Sequence, residues 1–560
     1  MIHSFTIINM YSNKENINIL TALLVSHGIK DAVVCPGSRN APIIHNLCEC
    51  PKIKCHPVTD ERSAAFVALG IAQASHSPVV VCVTSGTALL NTAPAVAEAT
   101  YQHHGIIVIS ADRPAAWIGQ GAGQTMPQPG ALGEFVEKCV NIPEPHTDED
   151  RWHINRLVNE ALIMAKQSHR PSVHINVPLG EPLFEYTVKK LPKERTIEYY
   201  ESDTCNCKMF MHEFIAARRA MIVVGQMDFE SITATENALT ILGEKASIIH
   251  ETLCDFDDYN SVDMVLKAIK DSDKKYIPDL VLYVGGEIVS ARLKTFLQKA
   301  KQVWRISSKN TVTDTFKNLT GVLEGDTTMV LNYIAADYIE SNYTVPLSAK
   351  SYISLWDNAL ERANKHIDTC EPAYSQAAVM KLFEEVIYDF NNLFNVHISN
   401  SCAIRLANLF ARHQVWCNRG INGIDGSVST AVGFAMATSK KELVILVTGD
   451  LSFFYDSNAL WNTELPQNFC ILLLNNGEGG IFNQVKGFGD NPLACGKHHA
   501  TAEGICLQNG VTYVPIHNME ELEANISRLG TEGSPILLEV FTDAEIDKEE
   551  ISKIYHTFEL

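Results

Sequence analysis

Two polar segments, each at the end of a strongly apolar run, are the first candidates for chemistry in this chain. The run LVILVT ends in Gly449-Asp450, and the run CILLLNN ends in Asn475-Asn476. Buried parallel strands end at one edge of their sheet, so we expect the Asp450 carboxylate and the Asn476 amide to lie side by side. Hard oxygen donors of this kind suit Mg²⁺ or Mn²⁺, shared with the phosphates of a ligand. The alternative interpretation is that both segments are turns that end unrelated strands.

A carboxylic acid at the start of a predicted helix is the second candidate. Glu61 stands in VTDERSAAFVALG, where Thr59 or Asp60 can cap a helix. A carboxyl group in a dry pocket is suited to proton sharing, because desolvation raises a carboxyl pKa. The alternative is that Glu61 only stabilises the helix dipole, as acidic residues in a first turn do.

Arginines in glycine- and serine-rich loops are the third group. A guanidinium binds a carboxylate through two parallel hydrogen bonds. A chain with a formal net charge of −20 must place such groups locally to hold an anionic substrate, and this charge argues against nucleic acid as a partner. Each could instead form a surface ion pair. The candidates are Arg39, Arg113, Arg292, Arg405 and Arg419.

Three α/β blocks must position these residues. Short β-branched runs such as AVVCP and VVVCVTSG alternate with helical patterns, which is typical of parallel strands covered on both faces. We predict three doubly wound parallel-sheet domains, at residues 1–188, 204–343 and 375–560. The charged C-terminal segment DAEIDKEEISKIYHTFEL predicts a surface helix with a solvated face.

The compartment follows from the start of the chain and from its cysteines. The first residues lack a basic segment followed by an apolar one, and no apolar run reaches the roughly 18 to 20 residues that span a bilayer. Fifteen cysteines are scattered without a framework. These features predict a cytoplasmic protein without a membrane partner.

Together these segments resemble the thiamine-diphosphate-dependent enzymes. Gly-Asp followed 26 residues later by Asn-Asn is similar to the diphosphate-anchoring motif of that family, although Leu451 replaces its usual glycine. Six further stretches resemble, in order, the 2-succinyl-5-enolpyruvyl-6-hydroxy-3-cyclohexene-1-carboxylate (SEPHCHC) synthases of menaquinone biosynthesis, in which Leu451 is expected. They are CPGSRNAP, TSGTALLN, SADRP, GAGQT, SNSCAIR and NRGINGIDG, where Gly123 replaces an expected asparagine.

The resemblance implies a set of site residues. Glu61 and Gln124 would be catalytic, and Asp450, Asn476 and the backbone carbonyl of Glu478 would bind the metal ion. Contacts to the cofactor would come from Glu61, Ile424, Gly449, Asp450, Leu451, Ser452, Asn476 and Phe482. The 2-oxoglutarate side would be formed by Ser401, Arg405 and Arg419. The isochorismate side would be formed by Ser38, Arg39, Arg113 and Arg292, and Gln124 would donate a hydrogen bond to a reacting carboxylate or oxyanion.

The resemblance also implies a reaction and an assembly. The enzyme would be a transferase that decarboxylates 2-oxoglutarate and adds the resulting succinyl semialdehyde carbanion to isochorismate. The cofactor would lie between the first domain of one subunit and the third domain of another, which predicts a homodimer or homotetramer. Two alternatives stay open: another thiamine-diphosphate 2-oxoacid decarboxylase or acetolactate synthase-like carboligase, and a non-catalytic ligand-sensing module with the same fold.

Overall fold

The structure is a computed structural model, and it describes most of the chain. The described residues are 10–560, except for 168, 198, 200–206, 255, 257–260, 271, 308–311, 391–392, 463, 481–494, 532 and 534. The predicted cofactor contact Phe482 lies outside the described residues.

The first sheet is built from the continuous apolar runs of the first block. Within the described residues it has six strands in the order β3-β2-β4-β5-β7-β6, and all neighbouring strands are parallel. A separate antiparallel pair joins β1 and β8. The strands are β1 (Tyr11–Ser12), β2 (Asp31–Val34), β3 (Lys54–Pro57), β4 (Val79–Val83), β5 (Ile106–Asp112), β6 (Lys138–Asn141), β7 (Val173–Pro178) and β8 (Tyr186–Val188). The helices are α1 (Glu15–Ser26), α2 (Ala41–Glu49), α3 (Glu61–Ser75), α4 (Thr87–Asn91), α5 (Ala93–Tyr101) and α6 (Asp148–Ala165).

The second sheet has five strands among the residues described, in the order β10-β9-β11-β12-β13, again all parallel. Its central strands are fully buried, as expected for strands covered on both faces. The strands are β9 (Ala220–Val224), β10 (Ala246–His250), β11 (Leu280–Val284), β12 (Gln302–Ser307) and β13 (Leu319–Glu324). The helices are α7 (Lys208–Ala216), α8 (Phe229–Gly243), α9 (Val262–Ala268), α10 (Ala291–Leu297), α11 (Thr327–Glu340) and α12 (Leu347–Thr369).

The third sheet carries the predicted metal motif. Its described strands follow the order β15-β14-β16-β17-β19-β18, which places β16 directly beside β17. The strands are β14 (Phe394–Ile398), β15 (Val415–Trp416), β16 (Leu443–Gly449), β17 (Phe469–Asn475), β18 (Thr512–Ile516) and β19 (Ile536–Phe541). The helices are α13 (Gln376–Ile387), α14 (Cys402–Phe410), α15 (Ser427–Ala437), α16 (Asp450–Tyr455), α17 (Glu503–Asn509), α18 (Met519–Asn525), α19 (Arg528–Thr531) and α20 (Ala544–His556).

These three sheets flanked by helices confirm the predicted α/β fold class. The strands of each sheet fall within one of the predicted domain ranges, and the domain boundaries themselves stay a prediction. The chain divides into two compact units. The first unit comprises Met1–Glu201, Gly420–Val444 and Tyr455–Phe469, and the second comprises Ser202–Arg419, Ile445–Phe454 and Cys470–Leu560.

Two helices of the first unit, α3 and α15, approach each other closely enough to require glycine. A Cβ atom added at Gly70 would lie 2.0 Å from the carbonyl oxygen of Thr430. One added at Gly433 would lie 2.1 Å from the carbonyl oxygen of Val67. The two backbones therefore touch, and α15 covers an apolar face of α3.

The C-terminal helix α20 differs in part from its prediction. It is a helix, but Asp547 and Ile554 on it are buried, so one of its faces packs against other elements of the second unit rather than facing solvent. Burial of this face places acidic and aromatic side chains of α20 in the site described below. Among the described helices, none has the length and apolar character needed to cross a membrane.

Candidate active site

Asp450 links the ends of two neighbouring strands of the third sheet. It follows β16 directly and is 4% exposed. Its Oδ1 accepts a hydrogen bond of 2.6 Å from the N–H of Leu451, and its Oδ2 accepts one of 2.8 Å from the N–H of Gly477. Burial raises the pKa of the Asp450 carboxyl, and the Leu451 N–H and His498 oppose that shift. The carboxylate thus lies beside the residue that follows Asn476, as the order of the strands predicts.

The side chain of Asn476 has a fixed orientation. Its Nδ2 donates a hydrogen bond of 2.9 Å to Oδ2 of Asp547. Asp547 in turn accepts hydrogen bonds from the N–H of Gln376 at 2.7 Å and from the hydroxyl of Thr542 at 2.9 Å. The amide nitrogen is therefore engaged by Asp547, while Oδ1 accepts the N–H of Glu478 at 3.4 Å and has a second lone pair with which it could bind a metal ion.

The donor atoms around this strand edge fit a hard divalent cation. Asp450 offers a carboxylate oxygen, Asn476 offers an amide oxygen and Glu478 offers a backbone carbonyl, which also accepts the N–H of Gly480 at 3.0 Å. Oxygen-only sets of this kind suit Mg²⁺ or Mn²⁺. A Cβ atom added at Gly449 would meet open space, so a diphosphate could approach this backbone. Groups of three or more His, Cys, Asp or Glu side chains that could hold a metal ion are absent from the described part of the chain.

A cavity of about 510 Å³ in the second unit brings predicted residues from several elements together. Asn476 lies in its wall, together with Arg405 from α14 and Arg292 from α10. Four lysine or arginine side chains and two acidic ones line it, which makes it cationic in a protein of net charge −20. They are Lys267, Arg292, Arg405, Lys548, Asp263 and Asp547. The cavity is therefore suited to an anionic ligand.

Not all predicted 2-oxoglutarate residues line this cavity. Ser401 directly precedes α14 and the cavity residue Cys402, and its φ is 75°. Arg419 is buried elsewhere in the same unit. Its Nη1 donates to Oδ1 of Asn400 at 2.9 Å, and its Nη2 donates to the carbonyl of Ile288 at 3.3 Å.

Glu61 is the first residue of α3 in the first unit. The side chain of Asp60 caps this helix by accepting the N–H groups of Arg62 at 2.9 Å and of Ser63 at 3.4 Å. Glu61 Oε2 accepts a hydrogen bond of 3.2 Å from the amide of Asn91. The carboxyl therefore begins the helix, as predicted, with a polar partner beside it.

Two of the predicted isochorismate residues, Arg113 and Arg39, lie at the ends of β5 and β7 respectively. Arg39 is buried, and its guanidinium donates to the carbonyl of Leu179 at 3.1 Å and pairs with Glu181 at 3.2 Å. The N–H of Arg113 donates to Asp112 at 2.8 Å. Ser38 and Gln124 are exposed, and Gln124 has a φ of 53°.

A buried glutamine that our sequence analysis did not identify supports this region. The Oε1 of Gln128 accepts the N–H of Gly86 at 2.7 Å, and its Nε2 donates to Asn176 at 2.8 Å and to the carbonyl of Ala111 at 3.0 Å. A Cβ atom added at Gly86 would lie 3.3 Å from the backbone of Gln124. Gln128 therefore fixes the backbone of Gly86, which lies beside the backbone of Gln124.

Comparison with known proteins identifies the family. A model of the thiamine pyrophosphate enzyme N-terminal TPP binding domain matches residues 17–131. The SEPHCHC synthase of Bacteroides thetaiotaomicron is 40% identical over 98% of this chain and 99% of that protein. The synthase of Phocaeicola vulgatus is 38% identical over the same shares, and that of Flavobacterium johnsoniae is 36% identical over 92% and 94%. This chain belongs to the SEPHCHC synthase family.

Membership of the SEPHCHC synthase family confirms that the chain is a thiamine-diphosphate-dependent enzyme. Two of the remaining predicted cofactor contacts belong to the second unit and one belongs to the first. Leu451 and Ser452 are in the first turn of α16, and the half-buried Ile424 precedes α15. The part each plays stays a prediction.

Three further residues of this SEPHCHC synthase family member lie at the cavity and were missed from sequence. They are Asp263, Asp547 and Tyr555. A signal for two of them exists in the C-terminal segment. Its cavity-lining or buried residues recur with helical spacing, at positions 547, 551, 554 and 555. Asp263 has no such signal, because it is a single acidic residue in a short helix whose other residues are mostly apolar.

Proposed function

We propose that this protein catalyses the SEPHCHC synthase reaction, joining a decarboxylated 2-oxoglutarate unit to isochorismate. The observation that carries this proposal is the cationic cavity in the second unit, where Asn476 of the metal motif shares one space with Arg405 and Arg292. Both substrates are dicarboxylates, and guanidinium groups are the side chains best suited to bind them. The full-length similarity to proteins named SEPHCHC synthase supports the same conclusion.

The residues divide into binding and proton-handling roles. Asp450, the Asn476 amide oxygen and the Glu478 carbonyl would hold Mg²⁺ or Mn²⁺ with the cofactor diphosphate. Thiamine diphosphate, when bound, supplies the electron sink that decarboxylation of a 2-oxoacid requires. Glu61 would share a proton with the aminopyrimidine ring. Gln124 would donate a hydrogen bond to a substrate carboxylate.

The substrate-binding side chains divide into one group for each of the two substrates. Arg405, together with Ser401 and Arg419, would orient 2-oxoglutarate. Ser38, Arg39, Arg113 and Arg292 would bind isochorismate. Because the protein orients two anions before they react, loss of one arginine should affect the Michaelis constant of one substrate more than that of the other.

The direct test is to incubate the protein with thiamine diphosphate, Mg²⁺ and 2-oxoglutarate, with and without isochorismate. We expect SEPHCHC only when both substrates are present. Succinic semialdehyde formed equally well without isochorismate would instead indicate a 2-oxoacid decarboxylase. Turnover of pyruvate but not of 2-oxoglutarate would indicate an acetolactate synthase-like enzyme. Absence of product from any of these substrates would indicate a non-catalytic module.

We further infer a homodimer or homotetramer in which one subunit supplies Glu61 and another supplies Asp450 to each cofactor. The test combines two inactive variants, Glu61→Gln and Asp450→Ala, by co-expression. In a mixed dimer one site receives both native residues, so activity should return to about a quarter of the wild-type level. If both residues came from the same subunit, no site would be complete and activity would stay absent.

The compartment we propose is the cytoplasm. All cysteines in the described ranges are free thiols, which suits a reducing compartment.

A further inference from the structure

The guanidinium of Arg292 is held by two side chains from different helices. Its Nη1 donates to Oδ2 of Asp263 on α9. Its centre lies 4.6 Å from the centre of the Tyr555 ring on α20. The hydroxyl of Tyr555 donates a hydrogen bond of 2.7 Å to the same Asp263 oxygen. Asp263, Arg292 and Tyr555 therefore form a closed triangle, which we call the Arg292 triad.

Buried hydrogen bonds connect the Arg292 triad to neighbouring segments of the second unit. Oδ1 of Asp263 accepts the hydroxyl of Ser290, which caps α10 by accepting the N–H of Leu293 at 3.0 Å. The buried carboxylate of Glu251 accepts the N–H of Ser290 at 2.9 Å and the amide of Asn408 at 3.0 Å. Since Asn408 lies one turn after Arg405 on α14, these hydrogen bonds connect the segments that carry Arg292 and Arg405.

Arg292 keeps the capacity to bind a ligand. All three triad members line the 510 Å³ cavity, and 44% of the Arg292 side chain is exposed. A guanidinium has five N–H donors, and its hydrogen bonds to Asp263 and Tyr555 engage only some of them. Asp263 engages Nη1, so the remaining edge can form a paired hydrogen bond with a carboxylate.

A salt bridge with Asp263 alone would let the long side chain pivot. An arginine loses considerable rotamer entropy when it is fixed, and a ligand that had to fix it would bind more weakly. The Tyr555 ring removes this freedom in advance, because it lies against the guanidinium while its hydroxyl holds Asp263.

We propose that Tyr555 is a positioning residue that sets the affinity for isochorismate by preorganising Arg292. This inference rests on the proposed function, because it takes isochorismate as the ligand of Arg292. It assigns the C-terminal helix a role in recognising one of the two substrates. The affinity for 2-oxoglutarate should not depend on Tyr555.

The test uses the holoenzyme with thiamine diphosphate and Mg²⁺, and compares Tyr555→Phe, Tyr555→Leu and Arg292→Ala with wild type. Tyr555→Leu removes both ring and hydroxyl and should raise the KM for isochorismate about tenfold. Tyr555→Phe keeps the ring and should raise it about threefold. The kcat and the KM for 2-oxoglutarate should stay within about twofold of wild type in both variants.

The matched control is Tyr374→Phe. The hydroxyl of Tyr374 donates to the carbonyls of Ile516 and Phe541 in the same unit, and Tyr374 does not line the cavity. This variant loses a tyrosine hydroxyl as Tyr555→Phe does, and it should leave both KM values unchanged. Calorimetric titration of isochorismate gives a readout that does not depend on turnover, and it should show the same ranking of the variants.

Two results would overturn the inference while leaving the proposed function intact. One is an isochorismate KM unchanged in Tyr555→Leu when Arg292→Ala raises it. The other is an equal rise of both KM values, which would indicate a general loss of structure. Failure of the proposed function is distinguishable, because wild type would then form no SEPHCHC, and absence of isochorismate binding to wild type would overturn both.

Discussion

Asp547 accepts a hydrogen bond of 2.9 Å from the amide nitrogen of Asn476, while the amide oxygen of Asn476 accepts the N–H of Glu478 at 3.4 Å. The two residues are 71 positions apart in the chain. Asp547 is itself held by the N–H of Gln376 and the hydroxyl of Thr542. A carboxylate on the C-terminal helix therefore orients a predicted ligand at the end of β17.

Substitution of Asp547 by Asn should weaken metal-dependent cofactor binding. An asparagine can turn its own NH₂ group towards Asn476 and so remove the preference for one amide orientation. Residues that orient metal ligands typically contribute about 10- to 100-fold in affinity, so we expect the Kd of thiamine diphosphate at fixed Mg²⁺ to rise at least about tenfold. Glu545→Gln, an exposed substitution on the same helix, is the control. Equal affinities of Asp547→Asn and wild type would contradict the prediction.

Glu61→Gln should separate cofactor binding from turnover. Loss of a proton-sharing carboxyl should lower kcat at least about a hundredfold. The Kd of thiamine diphosphate should change little, because the diphosphate and metal ion would be bound by other residues. Steady-state kinetics and a binding titration measure the two quantities. Glu134→Gln, at an exposed acid of the same unit, should change neither. A fully active Glu61→Gln enzyme would exclude Glu61 from the mechanism.

Gly433→Ala should destabilise the first unit. The added methyl group would lie 2.1 Å from the carbonyl of Val67, which is backbone and cannot move aside cheaply. Overpacking of this kind costs roughly 1–3 kcal/mol, so the midpoint of thermal unfolding should fall. The control is Gly504→Ala in α17, where a Cβ meets open space. That change should raise stability by about 0.5 kcal/mol, because alanine is the better helix former.

The buried Glu251 makes stability depend on pH. Burial raises the pKa of its carboxyl to about 7, and the hydrogen bonds it accepts from Val289, Ser290 and Asn408 oppose this shift. In the unfolded chain the group has its ordinary value of 4.5. The folded protein therefore binds more protons between these values, and the free energy of unfolding falls as pH rises from about 4.5 through 7.

Replacement of Glu251 by Gln should flatten this pH dependence. Denaturant unfolding of wild type and variant at pH 5 and pH 8 measures it. We expect the free energy of unfolding to differ less between the two pH values in the variant, because glutamine does not titrate. Some difference should remain, because burial also raises the pKa of Asp456 to about 7, and Asp456 is present in both proteins. If the free energy of unfolding changed equally in the two proteins between pH 5 and pH 8, Glu251 would not titrate in this range.

The fold and the position of Asp450 beside the end of β17 were predictable, because each depends on a local pattern. The apolar runs that precede Asp450 and Asn476 predict buried strands, and the carboxyl ends of neighbouring parallel strands lie at the same edge of a sheet. Asp547 and Tyr555 were not predicted as site residues, because a charged segment such as DAEIDKEEISKIYH is typical of a solvated helix. Gln128 and Glu251 are single polar residues whose partners are distant in sequence, so only the folded chain shows what they bind.

The close contact between α3 and α15 constrains how the gene can be divided. The helix at Ser427–Ala437 lies among the strands of the third sheet in chain order, yet its partner is the helix at Glu61–Ser75. Separate expression of residues 1–188 and 375–560 would leave an uncovered apolar helix on each fragment, and both would tend to aggregate. Chimaeras of distant relatives that exchange one of these segments must therefore exchange the other as well.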